Sequence, residues 1–163
     1  MADFIRRLLG RFRNTGKPAK YLIVPLVPSA PVALEFSAEA VAELIGMPAG
    51  QVFKTLIATG KTLGPCFAVL PGNRDLDLRS LAIARGERKM RMVPVREVES
   101  LTGYARGAVT VLGAKRAYPA VVDDTAANLE EMAVSGGARG VQLRLAPMDY
   151  LAVTGALVTS IAR

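Results

Sequence analysis

Histidine is missing from this chain, tryptophan is missing, and cysteine occurs once, at position 66. Without an imidazole there is no Ser-His-Asp or Cys-His nucleophilic machinery and no histidine acid–base catalysis. Almost every zinc site falls with it, because one thiol cannot replace the missing ligands. A single cysteine also excludes an intrachain disulfide. Lying in the apolar run Cys66, Phe67, Ala68, Val69, Leu70, it reads as a small buried thiol. Long uninterrupted hydrophobic runs are lacking too. The longest uncharged stretch, residues 21–34, carries Pro25, Pro28 and Pro31, which rules out a membrane span. The start, MADFIRRLLGRFRNTGK, threads arginines through its apolar residues rather than placing them first, so it is no signal peptide. A cytoplasmic protein is expected. Its chemistry must come from lysine, carboxylates, hydroxyls, backbone N–H groups, or groups that a substrate brings.

Negative charge is in short supply. Twenty-one Lys and Arg face 14 Asp and Glu, for a net charge of +7 and a pI near 10.0. Such a balance favours polyanionic partners, nucleic acid before an anionic membrane, although charge alone confers no specificity. With 163 residues, 51% hydrophobic and 21% charged, the chain suits one soluble domain with a proper core and is too short for two.

Periodicity organises it. Phe4, Ile5, Leu8, Leu9 and Phe12 recur at helical spacing beside Arg6, Arg7, Arg11 and Arg13, which predicts a basic amphipathic extension over residues 1–19. It could pack on its own domain or a twin subunit, or lie on RNA or a membrane surface. GKPAK reads as a linker, and YLIVPLV as a strand that Pro25 places at an edge or bulge. Ser37 caps a helix through Ile45, with Glu39 in its first turn and Gly46 as its stop. Strands follow at residues 52–58 and in CFAVLP, then a short helix between Asp75 and Gly86. RKMRMV is a strand. Pro94 opens a helix that Gly103 ends. PAVVDD, EEMAVS and VQLRL are strands, GGARG is a turn, and a helical C-terminus closes the chain. Strands and helices alternate without strict βαβ regularity, so the fold class expected is α/β, a single mixed sheet covered by helices.

Four features stand out. Lys54 interrupts the apolar run VFKTLIA; a strand lysine can snorkel to solvent, protect an edge, or serve a site. TGYARGAVTVLG spaces glycines at 103, 107 and 113, which lets backbone N–H groups approach a phosphate, ribose or carbonyl, though turns and a bulge account for it as well. It is neither a P-loop nor a dinucleotide fingerprint. VSGGARG places Ser135 before Gly136 and Gly137, then Arg139; a tight hairpin explains it equally. In AKRAYP, Lys115 and Arg116 beside Tyr118 could hold RNA backbone and stack a base, or be solvated.

Taken together, VFKTL, TGYARGAVTVLGAKRAYPAVVDD and VSGGARG, in this order, resemble the YbaK/EbsC family of prolyl-tRNA editing proteins. These are free-standing relatives of the editing domain of bacterial prolyl-tRNA synthetases. The resemblance covers residues 20–163 and implies a compact α/β domain with a mixed, barrel-like sheet. It implies deacylation of mischarged tRNA, best known for Cys-tRNA(Pro), with alanyl-tRNA in related branches. No metal and no cofactor are implied. The attacking group would be the substrate's cysteine thiol, the terminal ribose hydroxyl or an ordered water. The protein would orient the terminal adenosine and stabilise an oxyanion with backbone N–H groups and one cation.

By the same resemblance Lys54 is the catalytic residue, contacting the phosphate or ribose of the terminal adenosine. Thr55, Gly103, Gly107, Ala108, Thr110, Leu112, Gly113, Ser135, Gly136, Gly137 and Gln142 would line the substrate pocket. Arg106, Lys115, Arg116 and Arg139 would contact RNA. The sequence departs from the family where Gly-x-x-Pro-x-Gly reads AVTVLG, with Ala108 and Val111, where Gln142 stands in a place often acidic, and where Val24, Pro25 and Leu26 replace the polar or aromatic residues frequent on the first strand. Partners implied are mischarged tRNA and prolyl-tRNA synthetase, rather than DNA or an integral membrane protein, with a homo-oligomer left open. Two readings follow: an editing deacylase, or a module of the same fold that binds aminoacyl-tRNA or the synthetase without turnover. A third takes the basic extension as a membrane or dimer contact.

Overall fold

The computed structural model describes residues 21–25 and 37–163; the basic extension, the GKPAK linker and residues 26–36 lie outside them. Eight strands form one mixed sheet: β1 (Tyr21–Pro25), β2 (Val52–Gly60), β3 (Pro65–Pro71), β4 (Met90–Met92), β5 (Ala120–Val122), β6 (Met132–Ser135), β7 (Val141–Leu145) and β8 (Leu157–Val158). They follow the order β1-β7-β6-β2-β3-β5-β8, with β4 also paired to β2. Four helices pack on it: α1 (Ala38–Ile45), α2 (Leu78–Arg85), α3 (Val95–Thr102) and α4 (Pro147–Thr154). Among the described residues no helix is long and apolar enough to cross a membrane.

β2 and β3 form the long antiparallel centre, with Phe53 opposite Pro71 and Thr59 opposite Pro65. Parallel pairings flank it, β6 on β2 and β5 on β3, so the centre is buried on both faces and reads as near-continuous apolar sequence. Strand alternation then sorts the side chains. Phe53, Ile57, Phe67, Val69, Val122, Met132, Val134, Leu143 and Leu145 join Leu112 and Tyr150 in the principal core. The opposite face is covered in two places. Val41, Ala42 and Ile45 of α1 pack on Val52 and Ala133, while Leu81 and Ala82 of α2 pack on Ala58, Cys66 and Ala68. Each fully buried Leu or Phe contributes about 1.5–3 kcal/mol.

Local signals agree with these elements. Ser37 accepts the Ala40 amide at 3.2 Å and Asp77 accepts the Arg79 amide at 2.8 Å, capping α1 and α2. Gly46, Gly86, Gly103 and Gly155 each stop a helix with φ between 61° and 79°, a conformation that costs other residues a Cβ clash. Among the described residues β1 pairs only with β7, the edge position that Pro25 calls for. Cys66 is fully buried, and burial pushes its thiol pKa up.

The C-terminus departs from expectation. Only residues up to Thr154 are helical; Gly155 breaks the helix, and Leu157–Val158 pair in parallel with β5. Asp123 draws the end of the chain in. Its carboxylate accepts the Ile161 and Ala162 amides at 2.9 and 2.7 Å, a long-range tether with no local sequence signature.

Candidate active site

The gap between α1 and α2 falls on β2. Val52, Lys54, Leu56 and Ala58 share one face of that strand; α1 covers Val52 and α2 covers Ala58, leaving Lys54 half-buried between them. Register extends this opening sideways. Val52 and Phe53 pair with Ala133 and Val134, so Lys54 stands next to Ser135 one step further on. Ser135 in turn faces Gln142 on β7. Lys54, Ser135 and Gln142 thus form a polar row across three strands that are distant in sequence.

That row floors a cleft of about 410 Å³. Ser37, Glu39 and Val41 of the α1 start form one wall, and Arg106, Gly107 and Val109 another. Val52, Phe53 and Leu56 give it apolar surface. Lys54 Nζ donates to the Gly72 carbonyl at 3.1 Å, which fixes the head of a flexible side chain and leaves two of its three N–H donors for a ligand. Gly72 is needed at that point: a Cβ there would collide with the Ala38 Cβ and lie 3.0 Å from the Val52 carbonyl oxygen.

Electrostatics place both signs at the opening. Glu39 has its carboxyl held below the usual carboxylate range by its own backbone amide, the Ser37 hydroxyl and the positive charge of Lys54. Arg106 is exposed on the rim, and Arg139 Nε donates to its carbonyl oxygen at 3.4 Å, tying the two glycine-bearing stretches together. The Ser135 and Thr55 hydroxyl oxygens are buried with no hydrogen-bond partner among the described residues. Thr55 lies on the core face of β2, the side of fully buried Tyr150, whose phenol pKa burial pushes up.

Of the residues singled out in the sequence, Lys54, Thr55, Arg106, Gly107, Ser135 and Gln142 come together in the cleft. Gly103, Ala108, Thr110, Leu112, Gly113, Gly136, Gly137, Lys115, Arg116 and Arg139 are not among its lining residues. Thr110 and Leu112 are fully buried, Leu112 within the core. Tyr104 OH donates to the Leu112 carbonyl at 2.6 Å, and the Lys115 amide to the Thr102 carbonyl at 2.9 Å. Their part in the 103–113 segment is to hold its shape. Gly136 permits the hairpin, since a Cβ there would lie 2.6 Å from Val141 Cγ1. Tyr118, read as a base-stacking candidate, instead packs edge-on against Phe67 with ring centroids 5.8 Å apart. Sequence reading missed Ser37, Glu39 and Gly72 as cleft residues. The first two were legible only as a helix cap, and Gly72 carries no local signal.

A family model described as "Aminoacyl-tRNA editing domain" matches residues 34–153. EbsC of Enterococcus faecalis, whose name makes it a candidate Cys-tRNA(Pro)/Cys-tRNA(Cys) deacylase, is 42% identical over 118 residues, 72% of each chain. Among solved structures, a candidate trans-editing enzyme for prolyl-tRNA synthetase superposes with a TM-score of 0.78 at 27% identity. That alignment covers 98% of this chain and 97% of the other. A protein described only as hypothetical gives 0.80 at 24% identity, over 96% and 99%, which speaks to the fold alone.

Proposed function

The chain belongs to the aminoacyl-tRNA editing domain family, and from that premise we propose that the Lys54 cleft is where it deacylates mischarged tRNA in trans. The observation that carries this reading is convergence: Lys54, Gly107 and Ser135, from three separate motifs, line one cleft.

The chemistry follows from what the cleft holds. No imidazole exists in the chain, and the one carboxylate among the lining residues, Glu39, has its pKa lowered at the start of α1, which makes it a weak base. Neither Ser37 nor Ser135 therefore has a strong base to make it a nucleophile. The attacking group is supplied by the substrate or by water, and the protein orients the ester and stabilises charge. As a nucleophile adds to the ester carbonyl, negative charge develops on its oxygen; the two free N–H donors of Lys54 receive it or anchor the adjacent ribose and phosphate. When the ester bond breaks, the ribose oxygen leaves and takes a proton from the attacking thiol or water, or from water that the adjacent ribose hydroxyl orients. Arg106 and Arg139 at the rim meet the phosphates of the CCA end. A cleft of about 410 Å³ suits a terminal adenosine carrying a small amino acid, of the size of cysteine or alanine.

The Gly-x-x-Pro-x-Gly departures from the family pattern leave the lining of the cleft unchanged. Ala108 and Val111 are buried and lie off the cleft. Among the described residues only Gln142 changes a lining group. Partnership with prolyl-tRNA synthetase belongs to this same reading and follows if Cys-tRNA(Pro) is the preferred substrate. The test is a hydrolysis panel of cysteinyl-, alanyl- and correctly charged prolyl-tRNA, with Lys54→Ala as control. Release of cysteine or alanine that the control lacks supports the assignment. Equal hydrolysis by both proteins would place the reaction elsewhere.

A further inference from the structure

The cleft carries one charge that deacylation as described leaves without a task. Glu39 is the only carboxylate among the lining residues, exposed at the first turn of α1. Lys54 is near enough to lower its pKa, yet the two form no ion pair. The ion pairs among the described residues are Arg96–Glu97 and Arg144–Glu131. The Lys54 head is bonded instead to the Gly72 carbonyl, at 3.1 Å. An exposed anion and a tethered cation thus stand apart in one opening.

An aminoacyl ester carries the complementary pair. Its α-ammonium hangs from the carbon next to the ester carbonyl, the atom whose oxygen becomes negative during attack. We propose that Glu39 receives the α-ammonium of the substrate while Lys54 faces the ester, so that the cleft reads a free α-amine. This rests on the deacylase reading above for the identity of the substrate. Gln142, the neutral end of the polar row, cannot supply that charge. An N-acylated amine is uncharged, and seating it would cover the exposed Glu39 carboxylate without offering it a cation. The cleft would therefore disfavour peptidyl-tRNA and other N-acylated aminoacyl-tRNAs, biasing hydrolysis toward tRNA not yet used in synthesis.

Two non-hydrolysable probes test this: 3′-alanylamido-adenosine and its N-acetyl derivative, binding followed by calorimetry. The wild-type protein should bind the free amine about two-fold to five-fold more tightly, the range for one ion pair at an exposed carboxylate. Glu39→Gln should bring that ratio near one, and Glu39→Asp, which keeps the charge, should restore much of it. A purely structural role at the start of α1 would lower the melting temperature and leave the ratio intact. Equal binding of the two probes by the wild type, or a ratio that survives in Glu39→Gln, overturns the assignment. Binding of neither probe overturns it together with the deacylase reading. Amine-dependent binding without hydrolysis of any mischarged tRNA supports Glu39 recognition and removes turnover alone.

Discussion

Two polar places lie inside this sheet, and they are built on opposite plans. Around Asp123 every acceptor is used: its carboxylate, 1% exposed, takes the Thr125 amide and hydroxyl and the amides of Ile161 and Ala162. In the Lys54–Ser135–Gln142 row Ser135 and Gln142 are enclosed too, each 8% exposed, and Lys54 is half-buried, but among the described residues the Ser135 hydroxyl has no partner and Lys54 has one. A saturated buried group stabilises the fold, because any water or ligand would have to break bonds to reach it. An unsaturated one costs stability and is retained where something else completes it. The first place fastens the C-terminus to β5; the second is a socket.

Asp123→Ala should give the largest effect of this contrast. It leaves four donors without an acceptor, two of them in the segment that carries β8 and Ile161, and should cost about 3 kcal/mol or more of unfolding free energy. Deacylation measured well below the melting temperature should persist. Urea unfolding with a parallel activity assay checks both halves. Loss of activity at unchanged stability would erase the distinction between the two places.

The same carboxylate sets an acid limit. Burial alone would raise the Asp123 pKa, but the bonds from Thr125, Ile161 and Ala162 outweigh it and hold the carboxyl below its usual range. A depressed folded-state pKa adds stability that is complete above the unfolded value, about 3.9, and is lost as pH falls through the lower folded one. Melting temperature should therefore fall below about pH 4, and Asp123→Asn should flatten that fall. An unaltered acid profile in Asp123→Asn would mean that other carboxylates govern it.

Lys54 belongs to the other plan, so its removal should separate activity from stability. Lys54→Ala should lower kcat/KM by about 100-fold, the scale of one electrostatic contact made in the transition state, with a melting temperature close to wild type. Lys54→Arg should not rescue it, because a planar guanidinium cannot take the place of a compact ammonium bonded to the Gly72 carbonyl. Near-wild-type hydrolysis by a folded Lys54→Ala protein would make this lysine an ordinary solvated side chain of β2.

How much of this was legible beforehand depended on range. Elements with local signals were plain: Ser37 and Gly46 bound α1, Pro94 and Gly103 bound α3, and the alternation around Phe53 and Ile57 marked β2. Lys54 stood out because one cation broke an apolar strand. What needed the third dimension was invisible. Gly72 matters through Ala38 and the Lys54 head, Glu39 through a cleft that α1 shares with two other segments, and β8 through a tether to Asp123. Residues 103–113 misled in the opposite sense. Their glycines suggest a ligand cradle, yet Thr110, Val111 and Leu112 turn inward, and in this segment Gly107 is the glycine that reaches the cleft. A spacing of glycines reports where the backbone bends, not which side of the bend is empty.

The smallest effect is the sharpest test of the contrast, because its sign decides. Ser135 is enclosed, unpaired and flanked in the row by Lys54 and Gln142. If its hydroxyl waits for the substrate, the free protein bears the penalty of an unmade hydrogen bond, and Ser135→Ala should be neutral or stabilising by up to about 1 kcal/mol. Substrate should feel the loss instead, with an affinity for 3′-alanylamido-adenosine lower by about three-fold to ten-fold. Tyr150→Phe gives the matched control. Its hydroxyl is just as enclosed and unpaired but lies in the principal core, off the cleft, so its removal should act on stability and leave the binding of the probe near wild type. Were Ser135→Ala to destabilise the fold while probe affinity held, Ser135 would be satisfied in the free protein after all. It would then sit with Asp123 among the groups that hold the sheet together, leaving the cleft to Lys54, Glu39 and Gln142.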